Sequence, residues 1–197
     1  FKNIKYLTND NISNESLDLA FGKNENSSDK SKIWLSHYDR NNTLDYNKKE
    51  VSIQEYVDDD LIHFSSSDNI RSIPSVIDGL KPSQRKVLYC CFKRNLDKEI
   101  RVAQLSGYVS EHGAYHHGEA SLQGTIVNMA QDYVGSNNIN LLQPIGQFGT
   151  RHHGGKDSAQ PRYIHTKLSD VTTKIFNKMD NPLYDHNDND GIKIEPV

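Results

Sequence analysis

No stretch of this chain approaches the roughly 20 consecutive apolar residues that a membrane-spanning helix needs. The opening Phe-Lys-Asn-Ile-Lys also lacks the apolar run of a secretory signal. No membrane is therefore expected among its partners. Cysteine is nearly missing: 2 occur in 197 residues, adjacent at Cys90 and Cys91 in an apolar helical stretch. That excludes a disulfide framework and a cysteine-based zinc spacing and favours a reducing compartment. The pair reads as small core residues. Neither a Walker nor a Rossmann glycine pattern is present, which argues against a nucleotide-binding enzyme. Excess positive charge is missing as well, since the formal net charge is −3. The charge is segregated, however. Residues 68–178 carry 14 basic and 9 acidic groups and six of the nine His, a balance of +5, between flanks of −4 each. A basic centre of this kind is the electrostatic footprint of a polyanion binder.

What the basic centre does contain is a loop-like stretch, Gly146 to Thr166, with four glycines, two Arg, a Lys and three His around Tyr163. Almost nothing in it is aliphatic, so it reads as a loop shaped for an anion. Gly154-Gly155, with Gly146 and Gly149, supplies backbone that takes positive φ and approaches a partner closely. After Pro161, the run Arg162-Tyr163-Ile164-His165-Thr166 has the pattern of a short half-exposed strand, with Arg162 and Tyr163 on opposite faces unless the backbone bends, and either able to reach one phosphate at a loop edge. A phenol with a pKa of about 10 is a poor nucleophile at neutral pH and needs a base or a cationic field. Arg162 can supply the field. The plainer reading, a strand tyrosine packed on Ile164, stands beside it on composition alone.

Upstream, residues 1–45 are polar and irregular, with Leu17–Phe21 a strand candidate and Gly22–Lys32 a mobile Asn/Ser/Lys-rich insertion. Trp34 and Leu35 fit a short docking helix, with Lys32 on its exposed side. Residues 46–67 form a connector in which Asp58-Asp59-Asp60 reads as a solvated helix start. From residue 68 the patterning tightens. Pro82 opens a helix whose apolar face is Val87, Leu88, Cys91 and Phe92, with Lys86 and Lys93 on the opposite side. Val102, Leu105 and Val109 mark a second helix, and Leu122, Ile126, Met129 or Ala130, and Tyr133 a third. Helix, short turn, helix, then a Gly-rich strand-and-loop region is the order of a winged helix-turn-helix, so the fold class is α+β over residues 68–178. His116 and His117 then lie at the N-terminus of the third helix, where free amides favour an anion. No Cys or carboxylate at suitable spacing completes a metal site with them, so no metal ligand is expected in this chain. Leu168, Val171 and Ile175 mark a further helix capped by Thr166. Residues 179–197 read as an acidic, turn-rich start of another domain, with Asp185–Gly191 its loop. The chain reads as a fragment.

These residues resemble a known family, the type IIA DNA topoisomerases in their eukaryotic branch. The resemblance lies in Asn-Ile-Arg-Ser-Ile-Pro-Ser-Val-Ile-Asp-Gly-Leu-Lys-Pro-Ser-Gln-Arg-Lys-Val-Leu (69–88), Tyr-His-His-Gly-Glu (115–119), Gly-Ser-Asn-Asn-Ile-Asn-Leu-Leu (135–142) and Gly-Gln-Phe-Gly-Thr-Arg through Pro-Arg-Tyr-Ile (146–164). It is nearly continuous over residues 68–178 and weaker in Leu17–Phe21, Lys32–Leu35 and Ile62–Phe64. The resemblance implies a DNA breakage-reunion region. Residues 1–45 would be the tail of a toprim-like domain and residues 179–197 the start of a tower-like one. Tyr163 would be the nucleophile that becomes 5′-phosphotyrosyl-linked, Arg162 the transition-state stabiliser, and Arg85 and His117 supporting residues. Lys32, Lys81, Lys86, His116, Arg151 and Lys156 would contact double-stranded DNA. It further implies a homodimeric nuclear enzyme, with Mg2+ held by ligands outside this chain and ATP used by a domain absent from it. The chain departs from the family in lacking the toprim domain's acidic cluster, its Glu-Gly-Asp-Ser motif and its Asp-x-Asp triplet. It also has Ser31-Lys32 where Arg-Lys is usual. The competing reading is a non-enzymatic winged-helix DNA-binding module.

Overall fold

The computed structural model describes residues 3–8, 11–189 and 191–196. The chain divides into two units, Phe1–Pro74 and Ser75–Val197. Among the described residues the architecture is α+β, with short helices and three two-stranded sheets.

In the first unit β1 (Lys5–Leu7) pairs in parallel with β2 (Glu50–Ser52), Tyr6 opposite Val51. Leu17–Phe21 is not a strand but the end of helix α1 (Asn11–Phe21). Its apolar residues Leu17, Ala20 and Phe21 are spaced i, i+3, i+4, a helical spacing that a five-residue window hides. Gly22 ends the helix, with its amide on the Asp18 carbonyl, where a Cβ would meet that oxygen at 2.4 Å. The Asn/Ser/Lys-rich tract is not all loop, because helix α2 (Ser27–Ser36) begins inside it and carries Trp34 into a small core with Val57 and Ile62. One buried indole outweighs the poor helix propensity of its neighbours, as tertiary packing commonly does.

The three aspartates are also placed differently from expectation. Helix α3 (Ile53–Tyr56) starts earlier, at a Ser52/Glu55 capping box, and runs through a π-type turn (Val57–Leu61) into α4 (Ile62–Ser72). Asp58, Asp59 and Asp60 ride on the π-type turn and are each tied down. Asp58 accepts from the Trp34 indole at 3.1 Å, Asp59 from Asn42 at 2.7 Å and Asp60 from the Tyr46 hydroxyl at 2.6 Å. The wider turn fans consecutive side chains toward separate donors.

The second unit is built on α5 (Pro82–Lys93), with Pro82 in its first turn. Strand β3 (Ile100–Arg101) leads into α6 (Val102–His112), and α7 (Glu119–Ala130) follows after a turn. Their inner faces, Val87, Leu88, Cys90, Cys91, Leu105, Val109, Leu122 and Ile126, form one core with Leu142, Phe148 and Ile164. The expected apolar spacings hold for α5 and α6, whereas α7 stops at Ala130, so Tyr133 lies past its end and not on its apolar face. Strand β4 (His165–Thr166) pairs antiparallel with β3, Ile100 opposite Thr166. Bridges from Ile145 to His165 and from Leu142 to Leu168 extend this ladder on its other side.

The strand predicted over Arg162–Thr166 is thus shorter, and Arg162 and Tyr163 lie in the turn before it. Thr166 caps nothing. It is fully buried, its hydroxyl donates to the Gln143 carbonyl, and Ser169 takes the N-cap position of α8 (Asp170–Ile175). The inner residue of α8 is Thr172, donating to the Leu141 carbonyl at 2.6 Å, while Val171 and Ile175 are exposed. The loop predicted over residues 185–191 is in large part a hairpin: β5 (His186–Asn189) and β6 (Ile192–Pro196) pair antiparallel, with Gly191 at φ 81° before β6, while Asp190 lies outside the described residues.

Candidate functional site

The loop from Gly146 to Thr166 is held from both ends and from beneath. Helix α6 leaves its first amides without intrahelical partners, and two carbonyls of the loop fill them. Pro161 accepts from Ala103 N–H at 3.1 Å and Ile164 from Val102 N–H at 3.0 Å. Arg162 and Tyr163 sit between those two contacts, and the Tyr163 amide donates to Gln160 O at 2.9 Å. A backbone pinned at both flanking carbonyls fixes where the two intervening side chains start. On the other side, His165 exchanges both backbone hydrogen bonds with Ile145 at 2.9 and 3.0 Å.

Beneath the loop, buried Gln131 extends its amide from the residue just past α7. Its Nε2 donates to Phe148 O at 2.8 Å and to Gly155 O at 3.2 Å. This stitch is possible only because Gly149 and Gly155 carry no side chains. A Cβ on Gly149, at φ +103°, would lie 2.6 Å from Gly155 Cα, and one on Gly155 would lie 2.4 Å from Gln131 Nε2. Asp157 completes the loop by accepting from the Thr150 amide and hydroxyl, both at 2.8 Å. The amide bond chiefly holds the Asp157 carboxyl below the usual carboxylate range.

Tyr163 is 66% exposed, and the Arg162 guanidinium carbon lies 4.8 Å from its ring centroid. The two side chains are therefore together, not on opposite faces, because the turn replaces the alternation of a strand. An accessible phenol with a cation against its ring is suited to meeting an electrophile that gathers negative charge.

The remaining predicted residues are spread over α2, α5, the turn before α7 and the loop. Arg85 is half-buried and bidentate to Asp78, with Nη2 2.7 and 2.9 Å and Nε 3.2 Å from the carboxylate oxygens. His117 and His116 are exposed just before α7, the His117 ring edge-on to buried Tyr115 at 5.5 Å. Gly118, φ 88°, is the N-cap of that helix. Lys81 is the N-cap residue of α5, its amide bonded to Gln84 Oε1 at 2.9 Å. Arg151 and Lys156 are exposed in the loop, and neither joins an ion pair among the described residues. Lys32 belongs to the first unit, where it pairs with Asp29 at 2.9 Å on the exposed side of α2.

Lys86 departs from its expected place on a solvated helix back. It is turned inward, 2.8 Å from Glu195 and 2.7 Å from Gly113 O. Periodicity placed it opposite the core and could not anticipate that a distant hairpin covers that side. Gln131, Asp157, Asp78 and Glu195 escaped sequence reasoning altogether. Only the glycines at 149 and 155 signalled that something must approach closely there. Among the described residues no three His, Cys, Asp or Glu side chains converge on a metal-sized site.

The family model for the DNA gyrase/topoisomerase IV A-subunit matches residues 71–197, and one described as the C-terminal associated domain of TOPRIM matches residues 1–69. The two matches meet near the division between the structural units. The chain is 54% identical over 180 residues to DNA topoisomerase 2 of Meyerozyma guilliermondii, covering 91% of this chain and 13% of that protein. It is 54% identical to DNA topoisomerase 2 of Saccharomyces cerevisiae, covering 91% and 12%. For DNA topoisomerase 2 of Plasmodium falciparum the values are 50%, 98% and 14%. The chain thus spans about an eighth of the length of these relatives. Among solved structures, the DNA-binding, cleavage and re-ligation domain of Plasmodium falciparum topoisomerase II superposes with a TM-score of 0.77 at 50% identity. That match covers 98% of this chain and 26% of the solved chain.

Proposed function

This chain belongs to the type IIA DNA topoisomerases, in the branch of the eukaryotic DNA topoisomerase 2, and on that premise we propose that it is the part of such an enzyme that breaks and rejoins DNA. The observation that carries the reading is the exposed Tyr163 on a turn pinned at both flanking carbonyls, with the Arg162 guanidinium against its ring.

In this mechanism the Tyr163 oxygen attacks a backbone phosphorus in line with the sugar 3′-oxygen. The O–P bond to tyrosine forms, the P–O3′ bond breaks, the phenolic proton leaves and the 3′-oxygen takes one up. The product is a 5′-phosphotyrosyl link and a free 3′-hydroxyl. Arg162 stabilises the charge on the equatorial oxygens in the transition state. Arg85 and His117 support the same phosphate, Arg85 through the guanidinium edge that Asp78 leaves free. Lys81, His116, Arg151, Lys156 and, in the first unit, Lys32 neutralise flanking phosphates, which position the duplex without reading its sequence. Because one phosphodiester is exchanged for another, rejoining is the reverse step and needs no ATP. Magnesium bound elsewhere in the enzyme, ATP used by another domain to drive strand passage, a homodimer that supplies two tyrosines for a double-strand break, and a nuclear location belong to this reading. The winged-helix form of residues 68–178 belongs to it as well.

The test is to incubate the intact enzyme with duplex DNA, trap with denaturant and look for protein covalently attached to a 5′ end. Tyr163→Phe should abolish the adduct while leaving duplex affinity nearly unchanged. An adduct that survives the substitution means another residue is the nucleophile.

A further inference from the structure

Lys86 and Glu195 are 109 positions apart in sequence and form an ion pair at 2.8 Å, with side chains only 16% and 5% exposed. A pair this buried is costly unless every polar atom is engaged, and here the atoms are engaged. The second oxygen of Glu195 accepts from Asn187 Nδ2 at 3.1 Å across the β5–β6 hairpin, and Lys86 also donates to Gly113 O at 2.7 Å. Gly113 is the C-cap of α6 and packs tightly: a Cβ there would lie 2.8 Å from Val109 O and 3.2 Å from Cys90 Sγ. Directly after it come Ala114, at φ 47°, then buried Tyr115, whose hydroxyl bonds Ser121 in the first turn of α7 at 3.0 Å and whose ring holds that of His117 edge-on. A second contact ties the same elements, from the Tyr89 hydroxyl on α5 to Lys193 O on the hairpin at 3.1 Å.

We propose that Lys86 is a positioning residue and not a phosphate contact: it couples the β5–β6 hairpin to the turn that presents His116 and His117. Its charge is spent inside the protein, and its geometric effect falls on the α6–α7 turn. A displacement of the hairpin withdraws Glu195, leaves the buried ammonium half-partnered and loosens its hold on the Gly113 carbonyl. The ordering of the histidine turn therefore depends on the hairpin being docked. The consequence for cleavage rests on the role of His117 proposed above. The coupling itself does not.

The experiment compares wild type, Lys86→Met and Glu195→Gln in the intact enzyme. Three readouts are followed: hydrogen exchange of residues 113–118, the salt dependence of duplex affinity, and the cleavage rate at saturating duplex. Methionine keeps most of the aliphatic stem, and Glu195→Gln leaves Lys86 in place with a neutral partner, so a folding failure of the first variant leaves the second to decide. Coupling predicts faster exchange at 113–118 in both variants and cleavage lower by about 10- to 100-fold for Lys86→Met, the scale of a small misplacement. Affinity should keep an unchanged salt slope. A slope shallower by about one would show that Lys86 neutralises a phosphate and would overturn the proposal. So would unchanged exchange at 113–118, or full cleavage well below the melting temperature. If wild type forms no adduct, the reading of Tyr163 fails, and the exchange measurement still decides the coupling.

Discussion

Replacing Gln131 by leucine removes one amide of similar size from beneath the loop that carries Tyr163. Gln131 is 6% exposed and its Nε2 serves two carbonyls, Phe148 O and Gly155 O. Both belong to residues that are themselves buried, so water does not readily replace the lost donor. Leaving a buried acceptor unpaired costs about 1–3 kcal/mol. Burying the leucine methyls recovers part of the loss for two carbonyls. The balance is a destabilisation of about 2–4 kcal/mol, at the severe end for a single substitution. Since about 1.4 kcal/mol is a factor of ten in an equilibrium, the loop would open some 30- to several-hundred-fold more often.

The loss should be local before it is global. Urea unfolding monitored by far-UV signal should show a lower midpoint. Hydrogen exchange should show that amides of residues 147–157 lose protection first, and adduct formation should fall with the occupancy of the closed loop. Gln131→Glu should be worse at neutral pH, because a carboxylate would face two carbonyl oxygens with nothing to donate. A destabilisation below about 0.5 kcal/mol with wild-type cleavage would refute the claim that this amide holds the loop, since that is the scatter of an ordinary surface change.

Arg162→Ala should lower the cleavage rate by about 10²–10³-fold, the cost of losing one preorganised charge at the reacting centre. Duplex affinity should change little, since one cation among many contributes weakly to ground-state binding, so equal losses in rate and affinity would make Arg162 a docking residue only. The Asp157 carboxyl is held below its ordinary range by the Thr150 amide. A depressed folded value means that the contact stabilises fully above the unfolded pKa of about 3.9 and is lost as pH falls through the folded value. Exchange protection at Thr150 should therefore decline on acidification in wild type and stay flat with pH in Asp157→Asn. Burial pushes the Cys90 thiol up to about 12 and the Cys91 thiol higher still. Neither should react with a disulfide reagent at pH 8 until urea unfolds the second unit, and rapid labelling of the folded protein would contradict the packing of α5.

Much of the second unit was legible because its helices bury one face each. Val87, Leu88 and Cys91, then Leu105 and Val109, then Leu122 and Ile126 repeat at helical spacing, and all are buried. The first unit was harder because its helices bury so little: α1 hides only Ser13 and Ser16, and α2 only Trp34, so periodicity had almost nothing to register. The three aspartates misled for a related reason. Local charge reads as solvation, whereas each has a partner at least 14 positions away in sequence. Within the loop, the glycines announced a close approach, but the approaching group, Gln131, is an ordinary polar residue past the end of a helix. Arg162 and Tyr163 were set on opposite faces by assuming a strand. The carbonyls of Pro161 and Ile164 are taken by α6 instead, and that is a tertiary fact.

The placement of charge in the second unit separates two kinds of cation. Arg85 and Lys86, adjacent on α5, are both half-buried and both committed to carboxylates, Asp78 and Glu195. Arg151, Lys156 and Arg162 are exposed, and among the described residues none joins an ion pair. The loop itself is held chiefly by neutral donors: the Gln131 amide, two α6 backbone amides and, at Asp157, the Thr150 amide and hydroxyl, with the His153 ring 3.6 Å from the same carboxylate. Had its shape been fixed by salt bridges, those cations would already be neutralised, and under the function proposed above meeting a phosphate would mean breaking the loop's own supports. Neutral anchoring removes that competition, so the loop backbone is held while Arg151, Lys156 and Arg162 join no ion pair among the described residues. That combination is the condition for stabilising charge that appears only in the transition state.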